Sequence, residues 1–598
     1  MSKSPFIFLS GLLYLLAVSV SYGQKAFIKV INKNTGEPVS FCHVCFEGLK
    51  TGTPKYSLTN IDGVVPNEVK ERSKLVISYM GFVTIQDTIN PGVSKEIKLK
   101  PSVLNIDEVV VTGQYTPERA DKSIYRIEVI NARLIEQKAA VNMADLLKDQ
   151  PAMTVSQDGV LGTSLKIQGM GGENVKFLMD GVPLIGRLNG NLDLNQINLY
   201  NVDHIEVIKG PMSVIYGSNA LAGAINIITK ENKTSRLNLV ADGYYESVGQ
   251  YNFNASASSC LGKHGFAVDA GRNFFDGYQG NLSGRQMEYK PRRQYLFDGY
   301  YFYTKKNMKL KTSASFMNEM LLDKGPLLGP YFETAFDNYF KTNRAIGYVS
   351  GSFNLPDNHF INFLASYSFY SRNRQTVFKD LTIPNETQVN QEWARDTTRM
   401  TTLGFRGAFA RNHAEYIVNY QIGLDLNHET GTGQKILNNY QEIGDYATFV
   451  SATINPLKKW SLQPSVRFAY NTKYNAPVVY SLSAKYDIFP EINLRLSFAK
   501  GFRAPGIKEL YLSFVDINHD ITGNPDLKAE KSTYANIDLN WVVEKQKSAT
   551  SLGLSLFYNY LIDKIALARI GNTNSYTYVN VSKYVSAGFS LDYLVNLI

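Results

Sequence analysis

Cysteine is scarce in this chain of 598 residues, with three in all. A disulfide-built scaffold would be far denser in cysteine, so that class is excluded. Charge is thin as well, at 19% of residues, against roughly 25% in soluble domains. The 62 basic and 53 acidic residues leave +9, spread without a basic tail. That argues against a nucleic-acid partner, for which a clustered basic stripe is expected. The seven histidines are scattered, and no acid–nucleophile grouping suggests catalysis. Beyond Val20 no apolar run approaches the ~20 residues that a membrane helix needs. Aromatic residues are what the chain does have, with 38 Tyr and 32 Phe against 3 Trp. A mean hydropathy of -0.19 looks soluble, but a transmembrane barrel looks the same, because only alternate residues face lipid. What remains is a large, mainly β protein, in water or in a membrane.

Residues 1–23 read as a secretory signal peptide. Lys3 supplies the positive start, Phe6 to Val20 the apolar run, and Ser21-Tyr22-Gly23 the small residues for cleavage. The run is short for a membrane anchor, and no cysteine follows it to carry a lipid. Residues 24–100 alternate strands with turns. Ala26 to Ile31 and Leu75 to Tyr79 read as strands, Asn34-Thr35-Gly36 and Asp62-Gly63 as turns. Gly36-Glu37-Pro38-Val39, Asn60-Ile61-Asp62-Gly63 and Ile77-Ser78-Tyr79-Met80-Gly81-Phe82, in that order, resemble the carboxypeptidase-regulatory-like β-sandwich. The resemblance implies a non-catalytic module. Cys42 and Cys45 lie three apart, which on a strand sends them to opposite faces, so they are expected to pack rather than pair.

Residues 101–121 form a linker. It holds Ile106-Asp107-Glu108-Val109-Val110-Val111-Thr112-Gly113, then a polar stretch from Gln114 to Asp121. Three successive valines beside a flexible segment suit addition to another protein's sheet edge; alone, they also fit a last strand of the sandwich. Residues 122–230 read as a mixed α/β unit. Asn142 to Asp149 has helical spacing at Met143, Leu146 and Leu147, stopped by Pro151. Leu165 to Gly169, Val175 to Pro183 and Ile205 to Pro211 follow, and Ile215 to Thr229 closes the block, with Asp180-Gly181 as a hairpin turn. Gly169-Met170-Gly171-Gly172 lacks the Lys-Ser/Thr of a phosphate loop and reads as a turn.

In this order the block resembles the plug domain of TonB-dependent outer-membrane receptors. The resemblance makes Asp107, Glu108, Val109, Val110, Val111, Thr112 and Gly113 the TonB box, the segment that pairs with the periplasmic protein TonB. It also implies active import driven by the inner-membrane proton gradient, with no cofactor and no enzyme activity. Lys209-Gly210-Pro211 is similar to the iron-complex and cobalamin receptors; the large glycan importers carry Lys-Asp-Ala there.

From residue 231 to 598 the chain reads as an antiparallel barrel. Short polar turns recur near Lys263, Lys306, Pro356, Asn412, Lys458, Pro490 and Gln546. Ile492, Leu494, Leu496 and Phe498 alternate with Asn493, Arg495, Ser497 and Ala499, as a lipid face alternates with a wet lumen. The two further runs Ile361 to Phe369 and Tyr416 to Leu426 behave likewise. On ~10-residue strands the count comes to about 16 or 17, whereas the family implies 22 and an aromatic last residue. The chain therefore reads as a receptor truncated at its C-terminus, and a non-functional product is one alternative.

The ligand is expected to be a ferric siderophore or other iron complex. Arg285, Arg292 and Arg293 with Tyr278, Tyr289 and Tyr295 form a basic, aromatic mouth suited to an anionic chelate. Phe502-Arg503-Ala504-Pro505 and Gly523-Asn524-Pro525-Asp526-Leu527 resemble two boxes of these receptors. His519 between them matches the axial iron ligand of haem receptors, so a haem receptor is the alternative. A passive outer-membrane channel is the reading from another class, and the plug block argues against it. Expected partners are TonB, outer-membrane lipid, the ligand and a surface lipoprotein.

Overall fold

A computed structural model describes residues 26–597 apart from 34–35, 50–53, 80–81, 83, 101–108, 114–117, 189, 233–234, 281–283, 384, 414–415, 516–519 and 546–547. The signal-peptide reading, Asp107, Glu108, His519 and the turn at Gln546 lie outside the described residues. The chain divides into two compact units, Met1–Asp107 and Glu108–Ile598.

The first unit is a two-sheet β structure. One sheet orders Val64–Pro66, Phe27–Asn32 and Lys95–Leu99; the other orders Pro54–Leu58, His43–Gly48, Ser73–Ser78 and Ile85–Ile89. Alternate residues turn inward, as in Ser73–Ser78, whose burial alternates strictly. Ile28, Val30, Val44, Leu75, Ile77 and Leu99 meet in one apolar core. Cys42 is buried, Cys45 half-buried, and both are free. Burial pushes the Cys42 thiol up to about 12, so it is unreactive at neutral pH.

In the second unit the plug carries a five-stranded sheet in the order Ile127–Asn131, Val202–Lys209, Gly223–Thr229, Val175–Met179 and Val182–Pro183. A three-stranded sheet, Met153–Asp158, Gly162–Ile167 and Met170–Gly171, lies beside it in sequence. Asp180-Gly181 is the two-residue turn between Met179 and Val182, both residues at positive φ. The helix read over Asn142–Asp149 is shorter: it runs Met143–Leu147, and Asn142 caps it by accepting from the Asp145 N–H. Its buried Met143, Leu146 and Leu147 join Ile167, Val175, Phe177, Ile205 and Ile225 in the plug core. Gly169-Met170-Gly171-Gly172 is part turn and part strand, since Met170 and Gly171 pair with Ile167 and Lys166.

The barrel wall is one sheet of nineteen strands running from Asn238–Glu246 to Ser575–Leu597. Three of them, Asn385–Gln388, Ser513–Val515 and Asp520–Thr522, are short pieces of loops, which leaves sixteen long strands among the described residues. Among those residues no pairing joins the first strand to the last. Long strands range from 9 to 23 residues. At ~3.3 Å per residue the longest reach ~70 Å, far beyond an apolar band ~25 Å tall, so one end projects as a collar. Six of the seven turns read from the sequence fall on the short connections, such as Leu261 to His264 and Lys305 to Met308. Leu496 and Phe498 are exposed on the outer face. Arg495 corrects the wet-lumen reading: it is nearly buried and donates to the carbonyls of Ser123 and Asp121 at 3.1 and 2.9 Å. The lumen at this level is filled by plug, and plug backbone satisfies the charge that water was expected to meet.

Candidate functional site

Two cavities lie on opposite sides of the plug. The first, of about 370 Å³, is lined by Glu173, Lys176, Arg187, Tyr216 and Asn219 of the plug and by Glu429, Asp445, Arg467, Tyr474 and Lys508 of the wall. It opens toward the long-loop rim, the extracellular side in outer-membrane barrels. The second, of about 420 Å³, is lined by Val111, Gly113, Asp180, Tyr216, Lys309, Lys311 and Arg406. Lys309 and Lys311 follow the short connection after Lys305, which puts this cavity at the periplasmic rim.

The outer cavity balances its charges. Arg187 is spent on the carbonyls of Gly172 (2.8 Å) and Val175 (2.6 Å) and on Glu173, 3.1 Å away. Arg467 pairs with Asp425 at 3.0 Å, while its Nε and Nη1 are buried without a partner. Gly217 makes that approach possible: its φ is +72°, and a Cβ there would stand 2.9 Å from the Arg467 guanidinium. Burial pushes the Glu173 carboxyl up, against the pull of Arg187, and draws the Lys176 and Lys508 ammonium groups down.

The first of the two boxes near the end of the barrel lines this cavity through Ala504 and Pro505, and the second is bonded to the segment that follows the first. Arg503 donates to Glu509 (2.9 and 3.0 Å) and to Glu530 (2.8 Å), tying the helix Ile507–Tyr511 to the strand Glu530–Lys545. Asn524 donates through its backbone to Glu509 and through its side chain to Tyr578. Gly523 packs against backbone, since a Cβ there would sit 2.5 Å from the Tyr511 nitrogen.

The inner cavity holds the valine segment. Val109–Val110 pairs with Glu118–Arg119, so the segment is no strand of the sandwich, and the linker read as unpatterned contains its partner. Val110 is buried among Tyr125, Ile127, Val129, Ile208 and Met212 of the plug. Beyond it the backbone N–H groups of Val111 and Thr112 donate to the two oxygens of Glu206 at 2.8 and 2.6 Å. The Gly113 N–H donates to the Tyr216 hydroxyl at 3.0 Å, and Asn226 donates to the Thr112 hydroxyl. Glu206 is fully buried. His204 supports it, with Nε2 3.1 Å from Glu206 and Nδ1 2.6 Å from Asp203. Burial lowers the His204 pKa, but hydrogen bonds to Asp203 and Glu206 outweigh it and hold the imidazolium at about 9.

The residues read as a basic mouth are brought together only in part: Tyr278, Tyr289 and Arg292 line one cavity of about 610 Å³, whereas Arg285, Arg293 and Tyr295 lie outside it. Arg285 is taken up by the fully buried Asp337, with bonds of 2.5 and 2.9 Å. Arg292 and Arg293 are strand neighbours and point to opposite faces. Arg292 turns inward to Asp193 and Glu319, 3.4 Å from each, whereas Arg293 is exposed. Tyr289 packs on Tyr278 with ring centroids 6.2 Å apart, and Tyr295 is exposed on the outer face. Glu206 and Tyr216 went unread because each meets the box from about a hundred residues away, at separations of 95 and 103.

A segment packed against one side of a plug, a cavity on the other and a lipid-facing wall around both define a plugged outer-membrane receptor. The chain belongs to the TonB-dependent receptor family: the family described as "TonB dependent receptor-like, beta-barrel" matches residues 233–596, and "TonB-dependent Receptor Plug Domain" matches 119–224. This is a family of Gram-negative outer-membrane receptors and not of enzymes. The chain is 23% identical over 421 residues to "Vitamin B12 transporter BtuB" of Vibrio cholerae serotype O1, covering 68% of this chain and 64% of that protein. It is 26% identical over 435 residues to the protein of that name in Vibrio vulnificus, covering 71% and 66%. The chain thus spans just under two thirds of the length of these relatives. Among solved structures, the siderophore receptor PirA of Pseudomonas aeruginosa matches with a TM-score of 0.61 at 20% identity, covering 79% of this chain and 81% of that one. The ferric yersiniabactin uptake receptor FyuA of Yersinia pestis matches with a TM-score of 0.61 at 16% identity, covering 79% and 76%. At these identities the likeness is one of fold.

Proposed function

We propose that the protein imports a large, scarce ligand across the outer membrane, drawing energy from TonB, and that the ligand is an iron complex. The observation that carries this is the arrangement about one plug, with a ligand-sized cavity on the long-loop side and a docked segment on the other. Two nitrogens of buried Arg467, Nε and Nη1, have no hydrogen-bond partner and favour an oxyanionic ligand such as a chelate. Solved relatives named as siderophore receptors support the same class. The segment Asp107 to Gly113 is the TonB-binding box, and the first unit, resembling a carboxypeptidase-regulatory-like sandwich, is a non-catalytic spacer.

A second reading is a corrinoid. The cavity's acidic and basic side chains are equal in number, and Asn219, Asn427 and Asn471 add amides to its lining, which suits a ligand rich in amides with little net charge. Relatives named as vitamin B12 transporters agree with it. The experiment is energised uptake of ferric enterobactin, haemin and cyanocobalamin by cells that lack their own receptors and express this chain. Uptake of one of the three, abolished by deleting residues 107–113, is the expected result. Uptake that survives the deletion or the loss of TonB would make the protein a passive channel.

A further inference from the structure

Tyr216 is the side chain that lines both cavities. It ends the short helix Ser213–Tyr216, whose next residue, Gly217, runs under Arg467. From the wall, the Arg406 guanidinium lies 4.9 Å over the Tyr216 ring and donates to the Ile215 carbonyl. The same guanidinium lies 5.3 Å over Phe449, so ring and cation are stacked in one fixed place. The phenol's far end accepts the Gly113 N–H.

We infer that Tyr216 is the positioning residue through which the outer cavity holds and releases the box. Its ring forms part of the wall on which a ligand would press, and its hydroxyl is one of the three acceptors that keep Val111, Thr112 and Gly113 docked. A ring displaced from the Arg406 stack carries its hydroxyl away from Gly113. The box then keeps Glu206 and Asn226 but loses the bond at Gly113, and its opening equilibrium shifts. This rests on the reading of residues 107–113 as a box that must be freed, but it is tested without ligand and without TonB.

The test is hydrogen exchange of the Val111, Thr112 and Gly113 amides in the full chain in detergent. Tyr216→Phe removes only the hydroxyl and keeps the ring. The expected result is exchange at Gly113 and its two neighbours about tenfold faster, the scale of one lost hydrogen bond, with the plug strand Gly223–Thr229 unchanged. Arg406→Ala, which leaves every acceptor of the box in place, is expected to speed the same amides. In Tyr216→Phe it is expected to add nothing, because both act through one contact. Unchanged exchange in Tyr216→Phe overturns the inference, and so does an additive effect of Arg406→Ala. Failure of uptake with all three probes would count against the function and leave these exchange results to stand or fall alone.

Discussion

The interior of the N-terminal unit and the interior between plug and barrel differ in how much of each is polar. In the first, Ile28, Val30, Leu75, Ile77 and Leu99 are fully buried, and burying each such side chain contributes about 1.5–3 kcal/mol. Between plug and wall some apolar packing, such as Val214 with Val479 and Phe502, is joined by many ionic and polar ties. Arg126 reaches Asp538 and Asp592 (3.3 and 2.7 Å), Arg292 reaches Asp193 and Glu319, and Arg344 donates to Gln196 at 2.9 Å. An apolar core has no substitute in water, whereas a charge drawn out into solvent is rehydrated; only a charge left behind in the interior goes uncompensated. The sandwich is therefore held by burial, and the plug is seated in large part by separate polar contacts. A receptor that must move its plug without unfolding its barrel needs that second kind of interior.

The contrast is sharpest where one residue is removed from each side. Leu75→Ala is expected to cost toward the upper end of about 2–5 kcal/mol, because no polar group or solvent fills the space. Urea unfolding of the full chain, followed by hydrogen exchange in His43–Gly48, reads it, and barrel strands should keep their protection. Arg126→Ala leaves Asp538 and Asp592 without this cation; with Arg126 and Asp592 only part-buried, the expected cost lies below the ~3 kcal/mol of a buried pair. Protease cutting of the plug should rise while the barrel stays folded; a plug as resistant as before would mean these ties do not seat it.

Smaller effects belong to the box. Glu206→Gln keeps the shape and removes the charge, so exchange at Val111 and Thr112 should rise roughly tenfold, the scale of a charge-assisted bond lost. His204 adds a pH dependence whose sign is determined by its raised pKa. Its contribution is complete below the ordinary histidine pKa of about 6.5 and is lost as pH rises through about 9. A spin label at Val111→Cys, with the three native cysteines replaced by serine, should gain mobility between neutral pH and pH about 9. The gain should vanish in His204→Gln. At the low end, Lys55→Ala breaks an exposed pair with Glu68 and should change stability by no more than about 0.5 kcal/mol.

What could be read in the sequence follows from how local each signal is. Strand alternation, Asp180-Gly181 and the short turns are set by residues next to one another, and they stand where the pattern placed them. The plug was legible as an ordered run of such local pieces. Arg495 shows the limit, because polarity in mid-strand marks a non-lipid face without saying whether water or another domain meets it. Arg292 and Arg293 show a second limit: as a cluster they look like one basic patch, but strand geometry splits them between lumen and outer face. Glu206 and Tyr216 carry no mark in their own neighbourhood, since their role exists only where distant segments meet.

The most direct test of the central claim is binding of the periplasmic domain of TonB to the detergent-solubilised full chain, measured with and without residues 107–113. The account predicts binding that the deletion abolishes and that Glu206→Gln, by loosening the docked segment, strengthens. Equal binding with and without the segment would contradict it.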